Sequence, residues 1–328
     1  MFRHYRIYFH MNCNFLNKYK PLKFKDFIVD PSIITVLTAL IDINDLNLIL
    51  IGPDCCGKSS LINAVISEYY DSEHIPADYI LYINNLSDQG ISFYRNEVKT
   101  FCQTPSRIYG KKKFIVVDDI EQINEQSQQV FRNCIDKYNH NINFISTGGN
   151  IQKIVESLQS RLTIIKMERL EPQKISSLLN NIIKKEKLDV SQNIVDFIGM
   201  ISNGSLRLQI NYLEKFKLMN TPIDIELAKE LCCNISYNEF ELYTDAILIG
   251  DIPSALKLIK NIYDKGHSVM DILDCYFGYI KITDKLNETQ KYITIRLISS
   301  CIIRFYTQNE HSVELSILTF DLIEKLKI

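Results

Sequence analysis

The residues Gly52 to Ser59, GPDCCGKS, match the phosphate-binding pattern G-x-x-x-x-G-K-[ST]. A strand is predicted just before them, over Leu46 to Ile51, and a helix is predicted to begin near Ser60. Glycine at both ends lets backbone N–H groups turn inward toward phosphates, and the helix dipole adds positive potential. Lys58 is predicted to reach the β- and γ-phosphates, and the Ser59 hydroxyl to bind Mg²⁺. The alternative is a chance match in a loop, which the flanking strand and helix disfavour.

A second segment that could do chemistry is the apolar run Phe114 to Val117, which ends in two carboxylates, Asp118 and Asp119. A strand buried on both faces has this pattern, and it delivers its acids to the carboxyl edge of a parallel sheet. Asp118 is predicted to hold Mg²⁺ through water, and Asp119 to orient or deprotonate the attacking water. Any buried strand followed by a cap looks similar, but a position about sixty residues after a phosphate loop strengthens the prediction.

The elements that must position these residues alternate between strand and helix in the first half of the chain. Further strands are predicted over Tyr79 to Asn84 and Asn143 to Thr147, with a helix over Ile91 to Phe101 between them. After about Met167 the pattern is helical. The predicted helices there are Leu170 to Lys185, Ser191 to Ile201, Leu206 to Met219, Glu239 to Ile249, Ile252 to Lys265, Val269 to Lys281, Gln290 to Thr307 and Val313 to Lys327.

These patterns predict an α/β domain with a parallel sheet flanked by helices, then a small helical domain and an all-α C-terminal domain. The predicted boundaries are 1–14 for a disordered extension, 15–166 for the α/β domain, 167–233 for the small helical domain and 234–328 for the all-α C-terminal domain. Met11 is an alternative start, and a mitochondrial targeting role for the extension stays open because no acid precedes Asp26.

Composition predicts a soluble intracellular chain. Of its 328 residues 46% are hydrophobic, but no apolar run approaches the roughly 20 residues that cross a bilayer, so no membrane partner is expected. Nine scattered cysteines indicate a reducing compartment, and their spacing predicts no structural zinc. The net charge of -2 means that any contact with nucleic acid must come from local basic clusters.

Four short segments resemble boxes of the replication factor C small subunits, the sliding-clamp loaders of the AAA+ class. In chain order they are Asn17-Lys18-Tyr19-Lys20-Pro21, Asn84 with Ser87 to Ile91, Leu158-Gln159-Ser160-Arg161 and Gly204-Ser205-Leu206-Arg207. The resemblance runs from about Phe15 to the C-terminus. It implies a P-loop AAA+ domain, a helical lid and a helical collar used in oligomerisation.

The family resemblance implies an ATPase subunit of a five-membered ring that opens a sliding clamp and loads it on primer-template DNA. ATP and Mg²⁺ are then the cofactors, and the partners are other loader subunits, the clamp and DNA. Tyr19 and Pro21 would line the adenine pocket, and Arg207 would contact the γ-phosphate. Arg161 would serve as an arginine finger on the neighbouring subunit's ATP. The alternative for Arg161 is a surface arginine paired with Glu156 or Asp136.

Several residues depart from the family pattern. Asp119 replaces the usual glutamate, which moves the carboxylate by about 1 Å. Gly149 stands where a γ-phosphate-sensing asparagine is usual, and Asn150 follows one place later. In the phosphate loop Asp54, Cys55 and Cys56 replace Pro-Gly-Thr, and an exposed Cys56 could be oxidised. The nucleotide-contacting residues predicted in and around the loop are Gly52, Pro53, Asp54, Cys55, Cys56, Gly57, Lys58, Ser59, Ser60 and Asn150.

These departures predict a subunit that binds ATP and hydrolyses it slowly. A non-catalytic ring scaffold that supplies Arg161 is the alternative, and a helicase-loader or origin-binding ATPase is a more distant one. The compartment would be the nucleus for a eukaryotic source, or a viral replication compartment for a large DNA virus.

For DNA, the predicted backbone contacts are Arg95 and Lys99, four apart on one helix, and Lys153 at the start of another. A solvated basic stripe is the alternative for these residues and has nearly equal weight. The stretch Phe101 to Tyr109 occupies the place that reaches the clamp in the family.

Overall fold

The computed structural model describes residues 14–72, 75–83, 94–202, 204–219, 221–233, 235–307 and 309–326. These residues form two compact units. The first holds the described residues up to Ile182 together with Gly204–Asn211, and the second holds Ile183–Asn203 with the rest of the chain from Tyr212. The predicted domain boundaries at 166/167 and 233/234 stay a prediction.

The first unit is built on a five-stranded parallel sheet in the order β2-β3-β4-β1-β5. Its strands are β1 (Leu48–Ile51), β2 (Ile80–Ile83), β3 (Lys113–Val117), β4 (Ile142–Gly148) and β5 (Thr163–Lys166). Every residue of β1, β3 and β4 is buried, as expected where helices cover both faces of a parallel sheet. The predicted α/β fold with a parallel sheet is confirmed.

Successive residues of each strand enter opposite cores, because side chains alternate across a strand. On one face Leu48 and Leu50 pack in a cluster with Val116, and on the other Ile49 packs in a cluster with Ile115. The register aligns Ile51 with Gly148 and Val117 with Ser146. The carboxyl ends of β1, β3 and β4 therefore meet at one edge, and the loops that leave them can share a site.

The helices of the first unit are α1 (Phe15–Lys18), α2 (Pro31–Ile43), α3 (Lys58–Tyr70), α4 (Lys99–Gln103), α5 (Glu125–Tyr138) and α6 (Glu156–Gln159), and α7 (Pro172–Glu186) crosses into the second. A π-helical turn, Tyr94–Val98, precedes α4, and single 3-10 turns lie at Ile120–Gln122 and Ile151–Lys153. Side chains cap several helix starts. Asp30 accepts the Ser32 N–H at α2, and Asn124 accepts the Ser127 N–H at α5.

The described residues of the second unit form helices joined by turns and loops, with no strand among them. This unit contains α8 (Gln192–Ile201), most of α9 (Leu206–Met219), α10 (Ile225–Cys232), α11 (Tyr237–Ile249), α12 (Ile252–Asp264), α13 (Val269–Ile282), α14 (Glu288–Phe305) and α15 (Val313–Leu326). Large aromatic residues fill its core, where the fully buried Tyr243 hydroxyl bonds the Thr319 hydroxyl at 2.8 Å. The predicted all-helical C-terminal region is confirmed.

Several predicted boundaries differ from those observed. Strand β1 begins at Leu48, not at Leu46, because the Leu46 N–H bonds the Asn143 side chain and the Asn47 amide reaches Asn139. Of the predicted helix over Ile91 to Phe101, residues 91–93 lie outside the described residues, as does Asn84 of the predicted second strand. Strand β5 and helices α1, α2, α5 and α10 were not predicted. No helix among the described residues is both long enough and apolar enough to span a membrane.

Candidate nucleotide-binding site

The phosphate loop joins β1 to α3, and its backbone explains its glycines. Gly52 donates its N–H to the Gly148 carbonyl at 3.1 Å, and a Cβ there would lie 2.4 Å from the Met167 carbonyl oxygen. Gly57 has φ 97°, a conformation that side chains disfavour. Gly57 is also the N-cap of α3 and no side chain caps that helix, so the N–H groups of its first turn face the loop.

Lys58 folds its side chain back over this loop. Its Nζ donates to the Gly52 carbonyl at 2.6 Å and to the Pro53 carbonyl at 3.0 Å. The exposed carboxylate of Asp54 lies 3.8 Å from the same ammonium. The Lys58 side chain is only 8% exposed. The loop backbone therefore holds the positive charge of Lys58 at the centre of the predicted phosphate site.

Ser59 and Asp118, the two predicted Mg²⁺ ligands, lie together at the end of the sheet. The Ser59 hydroxyl is 3.3 Å and 3.4 Å from the two carboxylate oxygens of Asp118. The Asp118 backbone N–H donates to the Ile83 carbonyl at 3.2 Å, so β2 fixes the start of the turn that follows β3. Hydroxyl and carboxylate oxygens are ligands suited to Mg²⁺.

Asp119 adopts the left-handed conformation, with φ 49° and ψ 56°. Its N–H donates to the Thr147 hydroxyl oxygen at 2.9 Å, and the same hydroxyl donates to Asp118 Oδ1 at 2.5 Å. Burial, and then the charge of Asp118, raises the pKa of the Asp119 carboxyl, while Lys58 opposes that shift. A more basic carboxylate is better suited to take a proton from water. Sequence reasoning missed Thr147, because the strand also carries the polar residues Asn143 and Ser146 and no local pattern singles out its hydroxyl.

Glu121 connects the turn after β3 to the loop after β4 through two hydrogen bonds. One of its carboxylate oxygens accepts the Gly149 N–H at 2.5 Å and the Asn150 N–H at 2.7 Å. The Asn150 side-chain oxygen accepts the Gln152 N–H at 2.9 Å, so it caps the short turn Ile151–Lys153. Sequence reasoning assigned no role to Glu121. Whether Asn150 senses the γ-phosphate stays a prediction.

Arg161 follows α6, and its side chain lies against α5. Nε donates to Asp136 Oδ1 at 2.6 Å, while Nη1 donates to the Ser157 carbonyl at 2.6 Å and to the Ser160 hydroxyl at 3.2 Å. The hydrogen bond from Arg161 lowers the pKa of the Asp136 carboxyl. The pairing with Asp136 that the alternative interpretation expected is therefore present. These bonds use Nε and Nη1, and none of them uses Nη2, which carries two further donors.

The other predicted contacts are placed as follows. Tyr19 is half-buried just after α1, with its ring 5.8 Å from the Phe15 ring, and Pro21 is also half-buried. Ser60 lies in the first turn of α3, and Arg207 is exposed in the first turn of α9. Their roles at a nucleotide stay predictions.

The predicted exposure of Cys56 is wrong. The residue is 6% exposed because its thiol packs into the core cluster that contains Leu50 and Leu61. Burial raises the pKa of the Cys56 thiol, which disfavours the reactive thiolate. The neighbouring Cys55 is half-buried with φ 61°.

Arg95 and Lys99, two of the predicted DNA contacts, line one groove. The groove has a volume of about 390 Å³ between the π-helical turn, α4 and α5, and Lys137 of α5 adds a third positive charge. Amide side chains also line it, namely Asn96, Gln126, Gln129 and Asn133. Lys153 is exposed on the turn Ile151–Lys153, and its carbonyl accepts from Gln128. Sequence reasoning missed Lys137.

The residues at the end of β1, β3 and β4 fit a Mg²⁺–nucleotide. An uncapped helix start and a buried ammonium can bind phosphate oxygens, and the Ser59–Asp118 pair offers oxygen ligands to the cation. This arrangement can bind a nucleoside triphosphate, and Asp119 lies where a carboxylate can hold a water.

Comparison with known proteins agrees with this geometry. A family model described as an AAA domain matches residues 44–174. Replication factor C subunit 3 of Schizosaccharomyces pombe is 25% identical over 264 residues, which cover 80% of this chain and 77% of that protein. A putative replication factor C small subunit of Acanthamoeba polyphaga mimivirus is 24% identical over 315 residues, covering 95% and 97%.

Among solved structures, the Holliday junction branch migration motor RuvB of Thermotoga maritima is similar in fold. The TM-score is 0.51 at 12% identity, and the match covers 70% of this chain and 80% of that one. At that identity the likeness concerns the fold alone.

Proposed function

We propose that this chain is a clamp-loader subunit of the replication factor C small-subunit family of AAA+ ATPases. In this function ATP binding and hydrolysis open a sliding clamp and load it on primer-template DNA. The observation that carries the proposal is the meeting of Ser59, Asp118, Thr147 and Asp119 at one edge of the sheet, beside the phosphate loop.

Different groups of this chain perform different steps of ATP binding and hydrolysis. Loop N–H groups bind the phosphates, and Lys58 exchanges its two carbonyl partners for phosphate oxygens. Ser59 and Asp118 would hold Mg²⁺, which would supply positive charge to neutralise the phosphates. Asp119 orients the attacking water and accepts its proton, a task that its raised pKa assists.

The remaining assignments concern the ring. We place Tyr19 and Pro21 at the adenine and Arg207 at the γ-phosphate. Arg161 acts in trans on the neighbouring subunit's ATP in a five-membered ring. The partial exposure of the Arg161 side chain supports this, because a finger needs donors that another chain can reach, and the hydrogen bonds made within the described residues use Nε and Nη1. The proposed compartment is the nucleus or a viral replication compartment.

A reconstitution experiment tests the proposal. The native complex is isolated through this chain, its subunits and clamp are identified, and clamp loading on primed DNA is measured with and without the chain. Loading that needs ATP and this subunit is the expected result. Loading that proceeds equally without it rejects the function.

A non-catalytic ring scaffold is the second candidate. The observations that favour it are the short Asp119 carboxylate, the absence of a side chain at Gly149 and the use of the Asn150 oxygen as a turn cap. A scaffold would bind nucleotide and supply Arg161 to its neighbour without turnover of its own.

Asp119→Glu distinguishes a slow ATPase from a scaffold. The longer carboxylate should reach the attacking water and raise turnover about tenfold, equivalent to about 1.4 kcal/mol, at nearly constant nucleotide affinity. Part of the gain is offset because glutamate tolerates the left-handed conformation less well than aspartate. Single-turnover hydrolysis at this site, with neighbouring sites disabled by phosphate-loop mutations, measures the effect.

The matched control is Asp71→Glu, which lengthens an exposed acid that also adopts the left-handed conformation, at the C-terminal end of α3, and should leave turnover unchanged. Gly149→Asn is then added to Asp119→Glu to restore the usual sensor. A Cβ at Gly149 lies 3.1 Å from Glu121 Oε1, so that carboxylate must shift slightly to admit it. If neither Asp119→Glu nor its combination with Gly149→Asn raises single-turnover hydrolysis, the scaffold is the better account.

Replacing Arg95, Lys99 and Lys153 with alanine should weaken DNA binding equally for all sequences, because these residues would contact phosphates rather than bases. Each lost phosphate contact should reduce the slope of log affinity against log salt by about 1. Binding titrations at several salt concentrations measure both effects. Lys137→Ala tests the groove by itself and should reduce the slope likewise.

The charge-matched control replaces the exposed lysines Lys25, Lys257 and Lys260. It removes the same formal charge without touching the groove, so the salt slope should stay at the wild-type value. A wild-type slope in the Arg95, Lys99 and Lys153 variant as well would remove those residues from the DNA path.

A further inference from the structure

The Thr147 hydroxyl makes two hydrogen bonds at the carboxyl end of β4. It donates to Asp118 Oδ1 at 2.5 Å and accepts the Asp119 N–H at 2.9 Å. The side chain is fully buried. A hydroxyl has one proton to donate, and that proton is committed to the carboxylate, while an oxygen lone pair holds the backbone of the next residue.

The second bond acts on a strained residue. Asp119 has φ 49° and ψ 56°, a left-handed conformation that residues with a side chain adopt less readily than glycine. Such a conformation persists only where its surroundings hold it. Two hydrogen bonds help to fix this segment. One joins the Asp119 N–H to the Thr147 hydroxyl, and the other joins the Ile123 N–H to the Ile120 carbonyl in the following turn.

We propose that Thr147 is a positioning residue that couples the Mg²⁺-binding carboxylate of Asp118 to the carboxylate of Asp119 that handles the attacking water. This inference rests on the proposed nucleotide site. Thr147 acts through the two acids, because its buried hydroxyl bonds the Asp118 carboxylate and the Asp119 N–H. Its hydroxyl orients one carboxylate directly and the other through the backbone, so a single side chain on β4 fixes both acids that follow β3.

The position of Thr147 in the sheet explains how it can couple Asp118 to Asp119. Strand β4 lies between β3, which carries the two acids, and β1, which leads to the phosphate loop. The next residues of β4 and its loop, Gly148 and Gly149, have no side chains with which to hold the acids. Thr147, the last residue of β4 that has a side chain, makes hydrogen bonds to both Asp118 and Asp119.

The test compares Thr147→Val with Thr147→Ser in the full-length chain. Valine keeps the shape and removes the hydroxyl, whereas serine keeps the hydroxyl. We measure binding of a non-hydrolysable fluorescent ATP analogue while Mg²⁺ is titrated. Outer partners of metal ligands typically contribute about 10–100-fold to metal affinity, so Thr147→Val should raise the Mg²⁺ concentration at half-maximal binding about tenfold. Thr147→Ser retains the hydroxyl, so its Mg²⁺ concentration at half-maximal binding should stay within about twofold of the wild-type value.

Ser146→Ala is the matched control. Ser146 is the preceding residue of β4, is equally buried, and its hydroxyl has no hydrogen-bond partner within the part of the chain that the structure describes. Its loss should leave the Mg²⁺ midpoint unchanged. If Thr147→Val does not fold, Thr147→Ala replaces it with the same expected result.

Two results would overturn the inference. The first is a wild-type Mg²⁺ midpoint in Thr147→Val, even with lowered thermal stability, because the hydroxyl would then be structural only. The second is equal damage in Thr147→Ser and Thr147→Val, because a variant that keeps the hydroxyl would then bind Mg²⁺ no better than one that lacks it. Failure of the proposed site is distinguishable, since Lys58→Ala would then bind the analogue as well as the wild type.

Discussion

Lys58→Ala should abolish measurable ATP binding while the chain stays folded. The ammonium lies at the centre of the phosphate loop, where it donates to the carbonyls of Gly52 and Pro53. A hydrogen bond to a charged group contributes about 1.5–3 kcal/mol, so the loss of two such bonds to phosphate corresponds to roughly 10²–10⁴-fold in affinity. Equilibrium binding of labelled ATP measures the effect, and circular dichroism monitors the fold.

Lys111→Ala is the matched control for this variant. Lys111 Nζ also donates to a backbone carbonyl, that of Tyr69 at 2.7 Å, but at the opposite end of α3. The substitution removes the same charge and the same kind of bond away from the loop, so ATP affinity should not change. Wild-type ATP affinity in Lys58→Ala would reject the nucleotide site.

Arg161→Ala should reduce turnover in the reconstituted ring without changing ATP binding to the isolated chain. An arginine finger typically contributes about 10³–10⁵ in rate at the site it serves. The loss falls on the neighbouring site, so single-turnover hydrolysis there is the informative measurement. Arg161→Lys should restore little of the rate, because lysine keeps the charge but lacks the planar fork.

Arg132→Ala separates the finger from the local ion-pair network. Arg132 Nε lies 3.7 Å from the other carboxylate oxygen of Asp136, so this variant disturbs the same acid and leaves Arg161 in place. Ring turnover should stay close to the wild-type value. If Arg161→Ala also leaves turnover intact, its role is confined to the pair with Asp136, which contributes about 0–1 kcal/mol because both side chains are partly exposed.

The contrast between Asp118 and Thr147 shows which parts of the site could be predicted. The phosphate loop and the acids after β3 are local patterns, in which consecutive residues carry both the chemistry and the element that presents it. Thr147 lies 29 residues from Asp118 in the chain, and only the pairing of β3 with β4 brings the two together. No local pattern distinguishes its hydroxyl from that of Ser146, which faces the other side of the sheet.

The sequence by itself determined the parallel α/β domain, the helical C-terminal region and the phosphate loop, because periodicity and glycine spacing are properties of contiguous residues. Only the tertiary structure decided the strand order, the burial of Cys56 in the core, the pairing of Arg161 with Asp136 and the hold of Glu121 on the Gly149 loop. Each of these depends on which surfaces meet after folding, and burial and hydrogen-bond partners are set by neighbours that are distant in the chain.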